Sequence, residues 1–167
     1  MANQNSRIWI RTTRKKILNR SPFFIFYTII VCTITFFIEI VENEFRFENF
    51  SDNPMLGPNA NVLVRMGAKD NKRILEDNEF FRFFTAMYLH GGLFHYLVNM
   101  ISLLVIGYEL EKQYGWIRFG VIYTIGGIFS FIASGYLAPN QLSVGASGAI
   151  FAIFGSLWGE LIQNISV

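Results

Sequence analysis

The chain has little of the chemistry from which metal centres and disulfide frameworks are built. One cysteine, Cys32, and two histidines, His90 and His95, are spread over 167 residues. A lone thiol forms no internal disulfide and leaves the redox compartment open. So few His, Cys or clustered carboxylates at ligand spacing suggest no metal and no organic cofactor. Charge is also scarce: charged residues are 16% of the chain, and no formally charged residue occurs in residues 83–108. The first acidic residue is Glu39, whereas Arg7, Arg11, Arg14, Lys15, Lys16 and Arg20 all precede it. This basic cluster abuts an apolar run, which favours a cytoplasmic membrane anchor over a nucleic-acid-binding arm, so no nucleic-acid partner is expected. The run is too long for a cleaved signal peptide, and no Ala-x-Ala-like site follows it.

What the chain does have is apolar surface. Hydrophobic residues make up 52%, aromatics 17%, and phenylalanine alone supplies 18 positions, far from an ordinary soluble domain. The apolar residues are blocked into stretches near 22–41, 93–110, 119–137 and 142–158, each approaching the roughly 20 residues that cross a bilayer core. The expected fold is therefore an all-α, polytopic transmembrane bundle, an integral multi-pass protein whose main partner is the lipid bilayer. Residues 1–21 read as a basic cytoplasmic tail and 22–167 as the membrane domain, with 42–79 an extracytoplasmic loop too long to be a simple turn. Gly91-Gly92 breaks the second apolar stretch, Trp116 suits an interfacial anchor, and Pro139-Asn140 makes a tight connection. With the amino terminus in the cytoplasm, counting spans places His95 and Asn99 about 3 and 9 Å below Leu93, and Ser147 about 7 Å below Leu142, all on the outer side.

His95 and Asn99 are four apart and share a helix face. Intramembrane polar residues either line a cavity with a partner or act as interhelical hydrogen-bonding glue, and spacing alone leaves both open. His90 lies before the glycine break and need not share that face. Gly145-Ala146-Ser147-Gly148 is sharper. Gly-x-Ser-Gly by itself is weak, because small residues also mediate helix contacts. A serine at a helix start, however, is approachable, and the unpaired N–H groups of the first turn can hold an oxyanion. Gly155 and Gly159 form a Gly-x-x-x-Gly surface read as helix packing.

Taken together, His90-Gly-Gly-Leu-Phe-His95-Tyr-Leu-Val-Asn99, then Glu111 and Gly115, then Gly145-Ala-Ser147-Gly148, closely resemble the rhomboid family of intramembrane serine proteases over roughly residues 53–159. Phe81-Arg82 occupies the place of the family's Trp-Arg pair, and Asn53-Pro-Met-Leu-Gly-Pro58 looks like a segment of eukaryotic secretase-type members. The resemblance implies the first four helices of a six-helix core and transmembrane proteins as substrates. It implies Ser147 as nucleophile within the Gly145 motif, with His95, Asn99 and the Ser147 N–H stabilising the oxyanion. Phe151 would pack against the catalytic histidine, while His90, Arg82 and Gly148 would be supporting residues. One departure stands out. A serine needs an adjacent base, and the family's base histidine lies on a sixth span that this sequence does not contain. The expectation is an inactive fragment of a complete protease. The alternative is a non-catalytic rhomboid-like pseudoprotease that binds transmembrane clients. A transporter fragment is more distant, because no inverted repeat is evident.

Overall fold

A computed structural model describes residues 21–51 and 53–165, so nearly all of the basic tail expected over residues 1–21 lies outside it. The chain is helical: α1 (Phe24–Glu42), α2 (Ala60–Met66), α3 (Asn71–Glu76), α4 (Arg82–Thr85), α5 (Leu93–Tyr114), α6 (Trp116–Leu137) and α7 (Ser147–Ile165). Among the described residues the β-pairing is a single antiparallel bridge between Lys69 and Ser143. Helices α1, α5 and α6 are long and apolar enough to cross a membrane. The fourth expected span, α7, has 19 residues but is diluted by Ser147, Ser156, Glu160, Gln163 and its glycines.

Each long helix turns a narrow stripe inward. In α1 the buried residues are Ile25, Thr28, Cys32, Phe36 and Glu39, a three-to-four residue spacing that puts them on one face. The α6–α7 contact is a seam of small residues, the usual means of close approach where lipid removes any hydrophobic drive between helices. A Cβ on Gly126 would lie 2.1 Å from the Ala152 Cβ, and one on Gly148 would lie 1.9 Å from the Ser130 Oγ. The expected Gly155/Gly159 packing surface is a different matter. A Cβ on either meets nothing within 4 Å among the described residues, so this stripe of small residues is open beyond the stretch of α7 that α6 covers.

Two boundaries differ from the sequence expectation. The fourth helix begins at Ser147, not near Leu142. Residues 142–146 are drawn out because Lys69 and Ser143 exchange backbone bonds of 3.0 and 3.2 Å and Gly145 adopts φ +117°. Within α5, residues Leu103–Gly107 form a π-helical segment, which local hydrophobic periodicity does not reveal.

The amino end of α1 carries no side-chain cap of its own. Its orphan donors are taken by Glu111 of α5, which is 1% exposed. Glu111 Oε1 accepts the N–H groups of Phe23 and Phe24 at 2.7 Å, and Oε2 accepts that of Ile25 at 2.8 Å. A carboxylate at a helix amino terminus also complements the helix dipole. Glu111→Ala is expected to strand these donors and cost about 1–3 kcal/mol, as a buried donor left without its partner does. Reversible denaturation in mixed micelles, followed by helical content, checks this; an unchanged midpoint refutes it.

Candidate active site

The site is built at the turn between α4 and α5. After α4 a single 3₁₀ turn, Ala86–Tyr88, leads to His90, Gly91 and Gly92. A glycine is needed at position 92 because the 53–57 segment presses against the turn. A Cβ on Gly92, whose φ is +155°, would lie 2.2 Å from the Met55 carbonyl oxygen. The contact does useful bonding. Leu93 and Phe94 donate their N–H groups to the carbonyls of Leu56 and Met55 at 3.1 and 3.3 Å, which satisfies orphan donors at the start of α5. The Asn53 amide donates to the Gly91 carbonyl at 3.0 Å.

One turn into α5, the Nδ1 of half-buried His95 accepts the Gly91 N–H at 3.3 Å. An imidazole that accepts at Nδ1 carries its proton on Nε2, and Nε2 faces Gly145. A Cβ on Gly145 would lie 2.7 Å from His95 Nε2, 2.6 Å from Cε1 and 3.5 Å from Asn99 Nδ2. Asn99 is 3% exposed, and its amide also donates to the His95 carbonyl at 3.0 Å. The structure thus brings His95, Asn99 and Gly145 into direct apposition, with Gly145 held by its N–H bond to the Ala86 carbonyl at 2.8 Å.

Ser147 follows two residues on, at the first position of α7. It is half-buried, and its hydroxyl makes no hydrogen bond among the described residues. The first intrahelical bond of α7 runs from Ile150 N–H to the Ala146 carbonyl at 3.0 Å, which leaves the N–H groups of Ser147, Gly148 and Ala149 without partners further back. Phe151, one turn along, is 74% exposed and stacks on no ring among the described residues.

The supporting residues divide. His90 is fully buried, its ring 5.6 Å from that of His95 and 5.3 Å from that of Tyr96. Gly148 belongs to the α6 seam. Arg82, 4% exposed, ties the loop to itself: Nη1 donates to the Val64 and Ala68 carbonyls at 2.7 and 2.9 Å, and Nε to Glu79 at 2.6 Å.

Three residues escaped the sequence reading. Lys69 is fully buried; its ammonium donates to the carbonyls of Ala138 and Gln141 at 3.1 and 2.9 Å, fastening the α6–α7 connection that leads into Ser147. Burial holds this ammonium below the ordinary lysine pKa, against the pull of Asp70. A lysine in a charged loop gives no sequence signal of such a role. Asn53 did carry a signal, in the Asn-Pro-Met-Leu-Gly-Pro segment. Glu39, the lone charge in residues 22–41, accepts the His90 N–H at 2.9 Å.

Helices of this kind around a helix-start serine and a histidine–asparagine pair match a known family. The rhomboid domain family model matches residues 77–166. The chain belongs to the rhomboid family and is a helical membrane protein. It is 40% identical over 123 residues to RHOMBOID-like protein 6, mitochondrial, of Arabidopsis thaliana, covering 74% of this chain and 40% of that protein. It is also 40% identical over 123 residues to RHOMBOID-like protein 1 of the same plant, with 74% and 32% covered. Similarity extends to that plant's Inactive RHOMBOID-like protein 8, at 37% over 120 residues, with 72% and 34% covered. The chain therefore spans about a third to two fifths of the length of these relatives.

The positive φ and crowding at Gly145 make it intolerant of a side chain. Gly145→Ala is expected to cost at least about 1 kcal/mol from the backbone conformation and more from displacing His95. Gly155→Ala, in open space, is expected to be neutral or to stabilise this chain by up to about 1 kcal/mol through helix propensity. Denaturation midpoints of the two variants, compared side by side, check the pair; equal losses would contradict the geometry.

Proposed function

We propose that the protein to which this chain belongs is an intramembrane serine endopeptidase acting on transmembrane protein substrates, and that this chain supplies its nucleophile and oxyanion donors. The observation that carries the reading is the apposition of Gly145 to the His95 imidazole and the Asn99 amide, with Ser147 two Cα steps of about 3.8 Å beyond. Ser147 Oγ attacks the scissile carbonyl carbon and its proton passes to a general base. The oxyanion of the tetrahedral intermediate is met by the Ser147 N–H, His95 Nε2–H and an Asn99 Nδ2–H. Collapse releases the amine, which takes the proton back, and water then hydrolyses the acyl-enzyme.

The base is not one of the two histidines of this chain. His95 spends Nδ1 on the Gly91 N–H and presents a donor at Nε2, while His90 is enclosed. A base on a further helix fits the open face of α7, where Phe151 is 74% exposed and a Cβ on Gly155 or Gly159 would meet nothing within 4 Å among the described residues.

A second reading is a client-binding pseudoprotease. It is favoured by the likeness to a relative named inactive. In a full-length protein, Ser147→Ala is expected to abolish cleavage of a transmembrane reporter with expression unchanged. Cleavage that survives this change overturns Ser147 as nucleophile; a wild type that binds the reporter without cutting it favours the second reading. Replacing His95 or Asn99 by alanine is expected to lower turnover about 10²–10³-fold per donor lost, measured as kcat on the same reporter. Rates equal to wild type would make both residues packing groups.

A further inference from the structure

Glu39 is the one charged residue between Phe24 and Val41 of α1, and it is 0% exposed. A carboxylate withdrawn from water inside an apolar helix is retained only against a strong opposing cost, so its bonding partner is informative. That partner is a backbone group: Glu39 Oε1 accepts the N–H of His90 at 2.9 Å. Phe36, one turn earlier on the same face, stacks on Tyr96 at 4.7 Å and meets the His90 ring edge-on at 6.3 Å. Helix α1 therefore grips the residue that opens the glycine turn through both its main chain and its ring.

The turn needs such a grip. Gly91 and Gly92 have the greatest backbone freedom of any residue type, yet the Gly91 N–H must point at His95 Nδ1, at 3.3 Å. That bond decides which imidazole nitrogen bears the proton. In the opposite tautomer, Nε2 would turn a lone pair towards Gly145 and repel an oxyanion. Asn53 fixes the other side of the same residue by donating to the Gly91 carbonyl at 3.0 Å.

We propose that Glu39 is a positioning residue for His95: by anchoring the backbone at His90 it keeps the Gly91 N–H on Nδ1 and fixes the Nε2–H tautomer that faces the Gly145–Ser147 segment. The role extends the function proposed above and rests on its reading of His95 as an oxyanion donor. Carboxylate reach is the essential property, since a shortened side chain on the same helix turn cannot keep the 2.9 Å bond without moving α1.

The chain has two histidines, which makes the test direct. In chain labelled with ¹⁵N-histidine and held in micelles, ring-nitrogen spectra are expected to show His95 protonated on Nε2 alone, with a through-hydrogen-bond coupling from the Gly91 amide to Nδ1. Glu39→Gln retains an acceptor oxygen at the same reach and is expected to keep the single tautomer. Glu39→Asp withdraws the carboxylate by one methylene and is expected to give a mixture of tautomers at His95 with helical circular dichroism retained. A single tautomer in Glu39→Asp, a mixture in wild type, or loss of the tautomer in Glu39→Gln would each overturn the proposal. If Glu39→Asp does not fold, the wild-type coupling and Glu39→Gln decide alone. Failure of the parent reading has a different signature: full-length His95→Ala would cleave normally while the tautomer results stood.

Discussion

The structure depends on one constraint, the need to satisfy backbone groups at helix ends where the surroundings offer little water. Every unpaired N–H or C=O in an apolar medium costs several kcal/mol, and the long helices here have almost no caps from their own sequence. The partners come from elsewhere in the chain. Glu111 closes the start of α1, the Met55 and Leu56 carbonyls close the start of α5, and Lys69 and Asn71 take carbonyls at the end of α6. The bundle is held together by exchanged ends as much as by packed faces.

Against that background the first turn of α7 stands apart, because its donors find no partner among the described residues. The same bookkeeping that fills the other termini leaves Ser147, Gly148 and Ala149 open among the described residues, just beyond the Gly145 that His95 Nε2 and the Asn99 amide face. A cluster of unspent donors beside a free hydroxyl is unfavourable as plain architecture and suited to receiving developing negative charge. The long loop gains a purpose from this too. Asn53 and Lys69 carry polar groups from the loop to the backbone at Gly91 and at the α6–α7 connection, while Arg82 fastens the loop to α4.

Much of this was legible in the sequence, in proportion to how local it was. The apolar stretches gave α1, α5 and α6 because span length is a property of one segment. His95 and Asn99 could be paired because a four-residue step on a helix needs no knowledge of the rest. The start of α7 was misplaced because the residues before Ser147 are drawn out by Lys69, more than seventy positions earlier, and by the positive φ of Gly145. The small-residue seam between α6 and α7 is formed by Gly126, Ser130, Gly148 and Ala152, and the Gly155/Gly159 stripe meets no partner among the described residues. A pattern of small residues says that a helix can be approached closely without saying which helix does so. Lys69 looks unremarkable in sequence and Glu39 shows only as a lone charge in an apolar run, since their importance lies in which distant backbone atoms they reach.

The π-helical stretch in α5 has a geometric effect on the whole assembly. Asn99 and Glu111 are twelve residues apart and both buried, but twelve residues of straight α-helix make about 3.3 turns, which would leave one of them facing outward. The wider turn at Leu103–Gly107 absorbs roughly one residue and brings the two back into phase. Site and anchor thus share one side of a single rod because its middle is slightly unwound, and deleting one residue from that stretch would leave eleven residues of straight α-helix, about 3.1 turns, so Glu111 and Asn99 would stay in phase without the wide turn.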